Sequence, residues 1–96
     1  MTPEGKVKAE VKKILKQYDV WYFMPVAGRS VGGVPDFICC VQGQFLAIET
    51  KAGSGQLTPL QKATLISIDR AGGSTLVIHP ENIESLRTAL LMLHTK

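Results

Sequence analysis

The stretch Gly33-Val34-Pro35-Asp36-Phe37-Ile38-Cys39-Cys40-Val41-Gln42-Gly43-Gln44-Phe45-Leu46-Ala47-Ile48-Glu49-Thr50-Lys51 decides the fold. Two apolar, β-prone runs flank Gly43-Gln44, a two-residue turn, so Asp36 to Gln42 and Phe45 to Lys51 read as a hairpin. Side chains alternate along a strand. Asp36 therefore shares a face with Ile38 and Cys40, and Glu49 shares one with Phe45, Ala47 and Lys51. With Gly43-Gln44 as the turn, Gln42 pairs with Phe45, which sets Asp36 opposite Lys51 and Ile38 opposite Glu49. Cross-strand partners point the same way, so two acids and a lysine converge at the open end of the hairpin.

On the N-terminal side, Thr2-Pro3-Glu4 reads as a helix start, with Thr2 as N-cap, Pro3 at the first helical position and an acid in the first turn. Val7, Val11, Ile14, Leu15 and Tyr18 then recur at helical spacing until Asp19 ends the pattern. Val20-Trp21-Tyr22-Phe23-Met24 is a strand reaching about Val26, followed by the glycine-rich loop Gly28 to Val34. On the C-terminal side, Ala52-Gly53-Ser54-Gly55 is a loop. Thr58-Pro59 opens a second helix that turns Leu60, Ala63, Thr64, Leu65 and Ile68 inward and stops at Gly72-Gly73. Ser74 to His79 is a strand, and Pro80 to about Leu93 a last helix with Ile83, Leu86, Leu90 and Leu93 in register. The order α-β-β-β-α-β-α implies an α/β fold, a mixed sheet flanked by helices, with the last strand joining through a helical crossover.

Ninety-six residues, 45% of them hydrophobic, make one folded domain spanning 1–96. A core this small leaves dimerisation as a natural supplement. The net charge of +3 is modest. Lys6, Lys8, Lys12, Lys13 and Lys16 crowd the first helix, either as a solvated face or as a track for phosphates. Cys39 and Cys40 are strand neighbours that point to opposite faces, so they are expected as buried, reduced thiols rather than a disulfide. There is no zinc motif, signal peptide or membrane-spanning run, and the expected location is cytoplasmic, in a bacterial cell or a phage-infected host.

Two acids and a lysine on otherwise apolar strands are costly without partners. One arrangement that supplies them is a hard divalent cation held by Asp36 and Glu49, with Lys51 offsetting charge near a scissile phosphate. The alternative is a structural Asp36–Lys51 pair with Glu49 in solvent. At ~100° per residue, Glu4 falls within the arc of Val7, Val11, Ile14, Leu15 and Tyr18, where it acts as a first-turn acid or reaches a shared metal. Glu10 lies at the edge of that arc. Gln61, early in the second helix, is placed to position a phosphate or water.

Gly33-Val34-Pro35-Asp36-Phe37, Phe45-Leu46-Ala47-Ile48-Glu49-Thr50-Lys51 and Leu57-Thr58-Pro59-Leu60-Gln61 together resemble the PD-(D/E)xK nuclease superfamily. Within it, the chain is most similar to compact VRR-NUC domains, including the stand-alone bacteriophage type. The resemblance implies a restriction-endonuclease-like core and roles for the matching residues. Asp36, Glu49 and the Thr50 carbonyl would bind Mg²⁺ or Mn²⁺, with Glu4, or else Glu10, completing the site. Lys51 would orient the water or stabilise charge on the phosphorus centre, and Gln61 would support the site.

The resemblance further implies a structure-selective DNA endonuclease acting on branched DNA (a four-way junction or a flap) as a Holliday-junction-resolvase-like homodimer. Alternatives are a flap or nicking nuclease or exonuclease using the same site, or a non-catalytic DNA-binding subunit of a replication or repair complex. Lys6, Arg29 and Lys62 are candidate phosphate contacts. Trp21, Tyr22, Phe23 and Met24 divide between core packing, which is favoured, and a dimer contact. His79 and His94 are given no role.

Overall fold

In the computed structural model, which describes residues 1–26 and 32–95, helix α1 (Pro3–Gln17) opens the chain. Thr2 caps it, its hydroxyl accepting the Gly5 N–H at 3.0 Å, with Pro3 in the first turn. Val7, Val11, Ile14 and Leu15 are buried along one stripe, as their spacing requires. After Asp19, in the left-handed region at φ 54°, the chain turns into β1 (Trp21–Phe23), β2 (Phe37–Val41) and β3 (Gln44–Thr50). Helix α2 (Pro59–Arg70) carries it to β4 (Ser74–Ile78). A short 3-10 turn (Pro80–Asn82) then leads into α3 (Glu84–His94).

The strands lie in the order β1-β2-β3-β4. β1 and β3 run antiparallel to β2, and β4 runs parallel to β3 through the α2 crossover. The mixed sheet and the element order are those expected. α1 and α3 cover one face, where Phe37, Cys39, Val41, Leu46, Ile48 and Ile78 meet Leu86, Leu90 and Leu93 to form the core. α2 lies on the other face, its Ile68 beside Phe45 and Gly73.

The hairpin register differs from the expected one. Val41 pairs with Gln44 and Phe37 with Ile48, so the turn residues are Gln42 and Gly43. Both have positive φ, 51° and 79°. That is the type I′ geometry, whose twist matches the flanking strands and which is best served by glycine in its second position. Continued outward, this register sets Asp36 beside Glu49, not Lys51. Each side of the turn moves by one residue, so the pairing sum changes by two and no side chain changes face. The convergence of Asp36 and Glu49 survives the correction and becomes closer.

Several smaller expectations also shift. β1 has three residues rather than seven, and Tyr22 and Met24 pack on the core while Trp21 (64% exposed) and Phe23 (48%) face outward. Cys39 is buried but Cys40 is exposed. Burial pushes the Cys39 thiol up to about 12. On α2 only Leu65 is buried, and Leu60 and Ala63 are exposed, because the helix meets the sheet along a narrow stripe. The last helix is broken after Asn82, whose side chain accepts the His79 N–H and donates to the Val77 carbonyl, fixing a 3-10 turn before α3.

Candidate active site

β3 has a hydrogen-bonded neighbour on each side, so its C-terminal end is enclosed. Glu49 is consequently only 3% exposed and Thr50 fully buried. Asp36 precedes β2 by one residue, and its carboxylate turns to the end of β3. Its Oδ2 accepts the Thr50 N–H at 2.8 Å and the Thr50 hydroxyl at 2.7 Å. This clamp fixes one carboxylate oxygen and leaves Oδ1 to face the site. Glu49 Oε2, in contrast, is buried without any hydrogen-bond partner.

The two carboxyls are driven apart in acidity. Burial raises Glu49 to about 8, helped by the hydrogen bond and charge of Asp36 and by the charge of Glu4, with Lys51 opposing. Burial also acts to raise Asp36. It is outweighed by hydrogen bonds from Glu49 and from the Thr50 backbone and hydroxyl, and by the charge of Lys8, so Asp36 lies below its ordinary value.

The unpartnered Glu49 Oε2 and Asp36 Oδ1, the oxygen that Thr50 does not hold, are both hard oxygen donors, which fits a divalent cation such as Mg²⁺ or Mn²⁺. Among the described residues no three His, Cys, Asp or Glu side chains converge as a metal-binding group. The carboxylate pair would need completion by a backbone carbonyl such as that of Thr50, by water, or by Glu4 from its more distant position.

Glu4 is 47% exposed on its side chain and pairs loosely with Lys8 at 4.0 Å. It does not lie on the buried stripe, yet its charge is felt by Glu49. Glu10 instead pairs with Lys13 at 3.9 Å. Of the two candidate acids, Glu4 is thus the one electrostatically joined to the pair. Lys51 continues β3 beyond Glu49 and favours the ionised form of that residue. The Gln61 side chain accepts the Thr58 N–H at 3.0 Å while Thr58 accepts the Gln61 N–H at 3.1 Å, a capping box that occupies its carbonyl oxygen in starting α2.

Lys6 and Lys62 are exposed, and Arg29 lies outside the described residues. His79 Nδ1 sits 3.0 Å from the Gly53 carbonyl oxygen, tying the end of β4 to the loop after Lys51. His94 Nδ1 lies 2.8 Å from the Leu90 carbonyl oxygen within α3.

Two features escape a reading of the residues alone. Thr50 contributes a hydroxyl as well as a backbone group, because strand alternation turns its side chain toward the core face, where Asp36 reaches it. Lys8 places its ammonium 3.6 Å from Asp36 Oδ1. A signal for Lys8 was present: it stands four residues after Glu4, on the same helical row.

No family model and no curated protein matches this chain in sequence. A solved structure described as a VRR_NUC domain does match in three dimensions, with a TM-score of 0.80 at 18% identity. The match covers 92% of this chain and 97% of that one. The fold is that of a VRR_NUC domain over nearly its whole length. Among the described residues no helix is long and apolar enough to cross a membrane.

Proposed function

We propose that the chain is a divalent-metal-dependent deoxyribonuclease of the PD-(D/E)xK type, cutting branched DNA as a homodimer. The observation that carries this is the enforced pairing of Asp36 and Glu49 at the end of β3, with one Glu49 oxygen buried and unpartnered. A protein that only bound DNA would gain nothing from enclosing two acids that repel phosphate. Mg²⁺ or Mn²⁺ held by Asp36 and Glu49 would make water more acidic and polarise a phosphoryl oxygen.

The chain's own residues do the rest. The Thr50 clamp holds Asp36 with one oxygen inward, Glu49 faces it across the strand pair, and Lys51 offers positive charge next to the reacting phosphate. Lys6, Arg29 and Lys62 serve as phosphate contacts. Gln61 acts on the site indirectly, by fixing the start of α2.

The homodimer reading rests on Trp21 and Phe45, which flank Cys40 across the sheet, with Phe23 beside them, all exposed. Such a contiguous apolar row is a typical association surface. A two-fold dimer carries two sites, which suits paired incisions in a four-way junction.

The test is cleavage of four-way junction, flap, nicked and linear duplex DNA with Mg²⁺ or Mn²⁺, wild type beside Asp36→Ala. Metal-dependent paired cuts in the junction, lost in the variant, are the expected result. Preference for flaps or ends would keep the chemistry and replace the resolvase assignment. Equal cutting by Asp36→Ala would remove Asp36 from the site, and binding without cutting would favour a DNA-binding subunit.

A further inference from the structure

Lys8 stands beside the proposed cation site. Its ammonium lies 3.6 Å from Asp36 Oδ1, the one Asp36 oxygen that Thr50 does not hold, and 4.0 Å from Glu4 Oε2. Both distances are those of an ion pair and exceed hydrogen-bond length, so the ammonium is retained by charge and not locked by donor–acceptor geometry. Its side chain is 32% exposed. Loose, partly exposed pairs of this kind contribute little and are readily exchanged. Lys8 also belongs to a helix that, unlike the approach to β2 and the end of β3, contributes none of the proposed ligands except the peripheral Glu4.

We propose that Lys8 is a built-in competitor for the divalent cation, a resting counter-ion that neutralises the Asp36–Glu4 side of the site and must leave when the metal enters. This rests on the metal-site reading above. The Lys8 ammonium offsets the two carboxylates it pairs with, Asp36 and Glu4, on the side of the site where the cation would enter. A divalent cation entering beside a retained ammonium meets repulsion across a few ångströms, whereas displacing the ammonium exchanges a loose ion pair for direct oxygen coordination. The lysine thereby sets the cation concentration at which the site loads, without being a ligand and without touching the reacting atoms.

The competition has a sign that a structural role lacks. Removing a lysine that merely supports the fold would weaken cation binding; removing a competitor strengthens it. The experiment is calorimetric titration of Mn²⁺ alone into metal-stripped protein, without DNA. The samples are wild type, Lys8→Met, Lys8→Gln, Lys8→Arg and Asp36→Asn, with circular dichroism verifying that each is folded.

The neutral variants are expected to bind Mn²⁺ about three- to tenfold more tightly than wild type, and Lys8→Arg, which keeps the charge, within about twofold of it. Unchanged or weaker binding in the folded neutral variants, with binding abolished in Asp36→Asn, overturns the competition and leaves the metal site standing. Equal tightening in Lys8→Arg assigns the effect to side-chain shape and also overturns it. Absence of binding in every sample, wild type included, overturns the metal-site reading and this inference together.

Discussion

Thr50 donates twice to a single oxygen of Asp36, through its N–H at 2.8 Å and its hydroxyl at 2.7 Å. The two donors approach from one residue of the central strand, so the Asp36 carboxylate has its position set by β3 although its backbone belongs to the approach to β2. The middle residue of the Glu49-Thr50-Lys51 triplet is therefore a positioning residue. Replacing it with valine keeps the shape and the backbone donor but removes the hydroxyl from a charged acceptor. Thr50→Val should lower stability by about 2 kcal/mol in urea unfolding, with reduced cleavage. A variant as stable and active as wild type would show that the backbone N–H alone suffices.

Glu49 gives a pH dependence of definite sign when divalent cations are chelated. Its ordinary value is 4.5 and its folded value about 8, raised by burial and by the neighbouring Asp36 and Glu4, against Lys51. Below the lower value both folded and unfolded chains hold the proton. Between the two values only the folded chain holds it, so stability falls as pH rises. Asp36, shifted the opposite way, titrates below this window. Thermal midpoints should therefore drop from pH 5 to pH 8, and Glu49→Gln should flatten that slope. A profile identical in the two proteins would place the buried charge elsewhere.

Gly33 lies at φ +90° on the segment leading to Asp36, and a Cβ there would come within 2.8 Å of Leu60 Cγ and 3.0 Å of the Leu60 carbonyl oxygen. Gly53 shares a positive φ of +52° but has nothing within 4 Å. Both alanine variants meet the backbone cost of the left-handed region, about 1 kcal/mol. Only Gly33→Ala must also push against α2. It should lose at least about 1 kcal/mol more than Gly53→Ala in denaturant unfolding. Equal losses would mean that Gly33 and α2 are not in close contact in solution.

Trp21→Glu tests the apolar row. Trp21 packs against Phe23, at a ring-centroid separation of 6.0 Å, and is otherwise outward, so the fold should survive with near-native circular dichroism. Sedimentation velocity should move from a dimer mass to a monomer mass, with weaker junction binding. A variant that remains dimeric would require a different interface.

By itself, the sequence determined the element order, the helix starts at Thr2-Pro3 and Thr58-Pro59, and the stripe Val7, Val11, Ile14 and Leu15. These follow from local chemistry: caps, the helical period and strand alternation act within a few residues. The register of the hairpin was one residue off on each side, because the choice between Gly43-Gln44 and Gln42-Gly43 depends on how a type I′ turn matches the twist of the paired strands. Only the tertiary structure decided that Trp21 faces outward while Tyr22 packs inward, since the covering helices belong to distant parts of the chain. It alone decided that Gln61 closes a cap, that the Thr50 hydroxyl reaches Asp36, and that Lys8 reaches across from α1 to the same carboxylate. The contacts of Thr50 and Lys8 depend on where the end of β3 meets other elements. That position is set by packing the whole sheet against α1 and α3, and no local pattern carries it.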